Sequence, residues 1–228
     1  MSDAMEFPLQ IACVGDSNTV GTGLPNEQAY PFRLQAFLGD LVKVASFGRV
    51  AATAGKPVEN RMVRYADTKR CSEALEHHAH VYICMLGVND ARVETRNMRT
   101  DLKRLVQKLR SAAGGAEAEA RRGLPAVLLV LPRCLEAGRS RKGTRSRTEL
   151  FEDKIWPAVR KVADGLGPFC LVEPELSEDC FQPDRVHLSS QGAAEVARAV
   201  GVRLLELCPL IEQNKVQDYY YYCYCYYY

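Results

Sequence analysis

Short apolar runs separated by longer amphipathic stretches set the pattern of this chain. The runs occupy residues 9–14, 42–45 on the way to Gly48, 81–86, 127–131 and 169–172. Each has the length of a buried strand, and the first and third end at Gly15 and Gly87. Between them, apolar residues recur at helical spacing. Leu34, Phe37, Leu38 and Leu41 mark one helix behind Pro31, which suits a first helical position. Met98, Leu102, Leu105 and Leu109 mark a second, which fades into Gly114-Gly115 and an Ala/Glu/Arg stretch. Leu150, Ile155, Val159 and Val162 suggest a third; Val196, Val200, Leu204 and Leu207 mark the last, with Ser189 or Ser190 as its cap. Strands alternating with helices predict an α/β fold, a parallel sheet covered on both faces. Such sheets bind ligands at the carboxyl edge of their strands.

Composition narrows this picture without changing it. The 228 residues suffice for one domain with a substantial core, expected over residues 7–210. The formal net charge of +2 makes no electrostatic case for nucleic acid or a membrane surface. No apolar run approaches the length of a membrane span. Residues 1–6 are polar and acidic, unlike a secretory signal. Of the nine cysteines, Cys13, Cys84 and Cys170 fall inside apolar runs and are expected as buried thiols. Cys71, Cys134, Cys180 and Cys208 show no zinc-ligand spacing, so a reducing, cytoplasmic compartment is the expectation. Arg139, Arg141, Lys142, Arg145 and Arg147 crowd a Gly/Ser/Thr-rich stretch that reads as a solvated basic loop. Residues 211–228 form a tail, purely tyrosine and cysteine from 219, expected outside the fold.

The candidate chemistry falls just beyond the predicted strand ends. Ser17, in Gly15-Asp16-Ser17, can serve as nucleophile if a base lies within hydrogen-bond reach. His187 can be that base, and Asp184, three residues earlier, can orient its ring. The Ser17 and Gly48 amides and the Asn89 side chain can hold a developing oxyanion, the glycine leaving room for the carbonyl to approach. Asp16 and Asp90 are expected to brace the neighbouring turns. His77, His78 and His80 lie before the third strand, at the opposite edge, and read as solvated loop residues rather than a metal site.

In this order and combination, Ser17, Gly48, Asn89 and His187, with Asp184, resemble the SGNH hydrolase superfamily, also called GDSL esterases and lipases. The resemblance spans about residues 9 to 207. It implies a three-layer α/β/α, flavodoxin-like sandwich on five parallel strands. It also implies an acyl-enzyme mechanism without cofactor or metal, acting on a small-molecule ester. The stretches Gly15-Asp16-Ser17-Asn18-Thr19 and Pro183-Asp184-Arg185-Val186-His187 are similar to members that remove O-acetyl groups from carbohydrates. Lysophospholipase and thioesterase members share much of the pattern, and a non-catalytic binding module could retain the same fold. Three positions depart from it. Asn18 follows the nucleophile where a hydrophobic residue is usual. Ser46 replaces an asparagine. Ala51 replaces a glycine, which alters that loop's path if a positive φ is needed.

Overall fold

The computed structural model describes residues 8–58, 61–93, 95–135 and 146–208. Five parallel strands form the sheet: β1 (Leu9–Gly15), β2 (Val42–Gly48), β3 (Val81–Met85), β4 (Val127–Val130) and β5 (Leu171–Val172). Their spatial order is β2-β1-β3-β4-β5, the flavodoxin-like arrangement. The last strand is shorter than the run 169–172 suggests. Phe169 lies outside it and is exposed.

Side chains alternate along every central strand, and both faces are covered. Leu9, Ile11 and Cys13 of β1 join Val81, Ile83 and Met85 of β3 and Leu128 and Val130 of β4 in one apolar cluster. Ala12, Val14, Tyr82, Cys84, Val127 and Leu129 belong to the other. This is why the strands read as unbroken apolar runs: neither parity faces water. The first face is covered by α2 (Tyr30–Leu38) and α9 (Ser190–Leu207). The second is covered by α3 (Lys69–Glu76), α5 (Met98–Ala112) and α8 (Trp156–Asp164). Fully burying one such Val, Leu or Ile side chain contributes about 1.5–3 kcal/mol, so two complete layers are ample to hold the sheet.

Ser189 caps α9, its Oγ accepting the Gly192 N–H at 3.2 Å. Leu41 lies beyond the end of α2, which stops at Gly39. The Ala/Glu/Arg stretch forms a helix of its own, α6 (Gly115–Arg122). Its apolar stripe is a single buried alanine, Ala118, too thin for periodicity to register. A short helix, α7 (Arg147–Leu150), continues through a π turn (Phe151–Ile155) into α8. Pro157 lacks the N–H that a regular helix would return to the preceding turn, and the helix widens just before it.

The loop after β2 accommodates its unusual residue directly. Ala51 adopts φ 60°, the left-handed conformation the usual glycine would take freely, so the path is kept and alanine carries the strain. Ala51→Gly should therefore stabilise the fold by about 1 kcal/mol after the greater chain entropy of glycine is subtracted. For a domain of this size that is a rise of about 2–4 °C in Tm, readable by calorimetry.

Candidate active site

The site forms at the carboxyl edge, where the chain runs outward from β1 to β2 and then returns across β1 to β3. β1 ends at Gly15. A Cβ there would sit 2.1 Å from Thr19 Oγ1 and 2.5 Å from the Met85 carbonyl. Glycine thus lets the strand turn at once into α1 (Ser17–Val20) beside β3. Asp16 caps that helix, its Oδ1 accepting the Asn18 N–H at 2.9 Å. Ser17 is the first helical residue, so its backbone amide has no partner within the helix.

His187 arrives from the loop between β5 and α9. Asp184 Oδ1 accepts the backbone N–H groups of Val186 and His187, both at 3.0 Å, closing a tight turn. Arg185 takes φ 59° inside that turn. The other carboxylate oxygen, Oδ2, lies 2.5 Å from His187 Nδ1. His187 Nε2 lies 3.0 Å from Ser17 Oγ, a contact spanning 170 positions of sequence. Burial pushes the Asp184 carboxyl up, but the His187 N–H, its ring and the Val186 N–H outweigh this and hold it below its ordinary value. An ionised Asp184 keeps a proton on Nδ1, which leaves the Nε2 lone pair facing the serine hydroxyl.

Gly48 stands level with Gly15 in the sheet register. A Cβ at Gly48 would lie 2.6 Å from the Val20 nitrogen and 2.8 Å from its Cγ2. Room for α1 against the end of β2 thus requires glycine, a reason separate from access to a carbonyl. Ser46 helps, its Oγ donating to the Thr19 carbonyl at 3.3 Å, and the Tyr65 hydroxyl donates to the Phe47 carbonyl at 2.7 Å. Asn89 lies in the first turn of α4 (Val88–Val93) and is buried. One N–H of its amide donates to the Ala52 carbonyl at 2.9 Å, which orients the group.

Asp90 and Asp16 hydrogen-bond backbone amides of these turns. Asp90 accepts the Ala54 and Gly55 N–H groups, each at 2.8 Å, and the Thr95 hydroxyl at 2.6 Å. Asp16 is also buried, and its Oδ2 has no hydrogen-bond partner among the described residues. Burial pushes its carboxyl up to about 7, with the Asp90 charge adding to the rise and the Asn18 amide and His187 opposing it. The folded chain therefore holds a proton here that the unfolded chain releases near pH 3.8, and stability falls as pH rises from about 4 to about 7. Asp16→Asn keeps the helix cap but cannot ionise. It should unfold at a higher temperature than wild type at pH 8, the gap narrowing by pH 5 and closing near pH 4; thermal melts across this range read it.

Several other expectations are corrected or extended. His77 and His78 are exposed, but His80 is not simply solvated: its Nδ1 accepts the Gln10 N–H at 2.9 Å. Arg147 is helical and buried rather than part of a solvated loop, and burial pushes its guanidinium down. Arg139, Arg141, Lys142, Arg145 and the tail 211–228 lie outside the described residues. Cys13 and Cys84 are buried thiols, both pushed up to about 12 by desolvation. Sequence reasoning missed the amide side chains that join the two halves of the site. Asn18 Oδ1 accepts the Leu188 N–H at 2.9 Å. Gln182 Nε2 donates to the Thr22 and Leu188 carbonyls, both at 2.8 Å. The available signal was Asn18 itself, a polar residue at a position where an apolar one is usual.

Residues 13–213 match the model of the GDSL-like lipase/acylhydrolase family. The chain belongs to this family. A curated relative, the acetylxylan esterase of Xylanibacter ruminicola, is 27% identical over 216 residues. That match covers 87% of this chain but 44% of the relative, so the chain spans less than half of that protein's length. Solved folds agree. The aryl esterase of M. smegmatis superposes with a TM-score of 0.64 at 21% identity, covering 87% of this chain and 99% of that one. A carbohydrate acetylesterase from Sinorhizobium meliloti gives 0.62 at 20%, with the same coverage. Among the described residues, no helix is long and apolar enough to cross a membrane.

Proposed function

We propose that this GDSL-family chain is a serine esterase that cleaves short-chain, chiefly acetyl, esters of a carbohydrate or another small alcohol. The observation that carries the reading is the hydrogen-bonded line Asp184–His187–Ser17, with 2.5 Å and 3.0 Å contacts. In this mechanism the Ser17 hydroxyl attacks the ester carbonyl carbon as its proton passes to His187 Nε2. Asp184 stabilises the imidazolium that results. The Ser17 and Gly48 amides and the free N–H of Asn89 receive the developing oxyanion. His187 returns its proton to the departing alcohol, leaving an acyl group on Ser17. Water deprotonated by the same ring then releases the acid.

The acetyl preference rests on the similarity to an acetylxylan esterase. Cys13, Cys71, Cys84, Cys134 and Cys170 are buried thiols, which supports a reducing, cytoplasmic setting. Turnover of p-nitrophenyl acetate, octanoate and longer esters tests the substrate class. The reading expects kcat/KM to fall steadily with acyl length. A clear preference for long chains would transfer the protein to the lysophospholipase or thioesterase type. Failure of a fluorophosphonate probe to label Ser17 would leave a binding module.

A further inference from the structure

The Asp184–His187 pair is internally rigid, because the Asp184 carboxylate holds the ring and both following amides of its own turn. None of those bonds fixes the turn relative to Ser17. That joint lies between two segments with no local connection, α1 and the loop ahead of α9. Catalysis at this site depends on the 3.0 Å separation across it.

We infer that Asn18 is a positioning residue that holds the His187 turn at bonding distance from Ser17. Its side chain is buried at 5% exposure and faces the backbone on both sides of His187. The amide orientation follows from chemistry. Leu188 N–H can only donate, so the oxygen at 2.9 Å from it is Oδ1. Nδ2 then faces the Val186 carbonyl at 3.5 Å. One bond grips the residue before the histidine and the other the residue after it. From the opposite side, the Gln182 N–H donates to the His187 carbonyl at 2.8 Å, so the segment is held between Gln182 and Asn18. Asn18 is covalently next to the nucleophile, and any slip of the loop against its amide is a slip of the imidazole against the hydroxyl. A hydrophobic side chain at this position can make neither bond. The inference rests on the esterase reading above and adds to it a residue that touches no substrate.

The test compares wild type, Asn18→Leu and Asn18→Asp on p-nitrophenyl acetate, with fluorophosphonate labelling of Ser17 and thermal melts alongside. Loss of alignment by about 1 Å costs on the order of 10²-fold, so Asn18→Leu should lower kcat by about 10- to 100-fold while KM stays near wild type. The labelling rate should fall in step. Asn18→Asp nearly preserves shape and serves if the leucine variant does not fold. As a carboxylate it accepts from Leu188 but repels the Val186 carbonyl; protonated, it can donate and accept as asparagine does. Its kcat relative to wild type should therefore recover as pH falls from about 8 to about 5, spanning the range in which a buried carboxyl takes up its proton. Asp16, Asp90 and His187 are ionisable groups of the same site that a carboxylate at position 18 would shift, so the full pH–rate profile of each protein is recorded and the ratio is read between them. A purely structural role predicts loss of Tm with a flat pH ratio, and that result overturns the inference, as does wild-type kcat in both variants. If wild type itself neither turns over esters nor takes the probe, the esterase reading falls instead.

Discussion

Ser17→Ala is expected to lower kcat/KM for p-nitrophenyl acetate by at least about 10⁴-fold. The variant removes the hydroxyl oxygen that faces His187 Nε2 and with it the atom that, in the proposed mechanism, forms the acyl-enzyme bond. The rest of the site should stand. Asp16 still caps α1 through the Asn18 N–H, and the Asp184–His187 contact does not involve the serine. Stability should therefore change by less than about 1 kcal/mol, as for substitutions that remove no cap or core contact. Fluorophosphonate labelling should vanish with activity. Adding His187→Ala to Ser17→Ala should cost little more, because nucleophile and base act as one unit. Retention of a tenth of wild-type activity in Ser17→Ala would put the bond-forming atom elsewhere.

Asp184→Asn should cost on the order of 10³–10⁴-fold in kcat with little change in KM. The amide oxygen can still accept the Val186 and His187 N–H groups, so the turn keeps its shape. The changed position is the one 2.5 Å from His187 Nδ1, where an N–H replaces an acceptor oxygen. The ring then favours the tautomer with its proton on Nε2, and that nitrogen can no longer accept from Ser17. The carboxylate's stabilisation of the imidazolium is lost as well. Steady-state kinetics paired with an NMR assignment of the imidazole protons would check both halves. A wild-type rate in this variant would mean that the carboxylate shapes the turn and takes no part in proton transfer.

The five strands and most of the flanking helices were legible because both faces of the sheet are buried. That burial writes unbroken apolar runs into the strands and leaves 3.6-residue stripes on the helices that cover them. α6 escaped because its buried stripe is one alanine, and β5 is shorter than its apolar run, with the exposed Phe169 outside it. Ser17, Asp184, His187, Gly48 and Asn89 are proposed from the sequence for a different reason: residue chemistry and order survive in the sequence even when distances do not. The basic loop was only partly legible. Its Arg147 pattern looks like exposed charge, yet the residue starts a helix and packs inward.

By itself, the sequence determined the class of fold, and it pointed to the carboxyl edge and to residue types suited to the proposed nucleophile, base and oxyanion support. Each of these is encoded locally, in runs, glycines and turn motifs. Only the tertiary structure decided that His187 meets Ser17 at 3.0 Å, that α1 packs against Gly48, and that Asn18 grips both flanks of the histidine. Those facts join segments as many as 170 residues apart. Their distances follow from how two covered faces pack around one sheet, which no local pattern records.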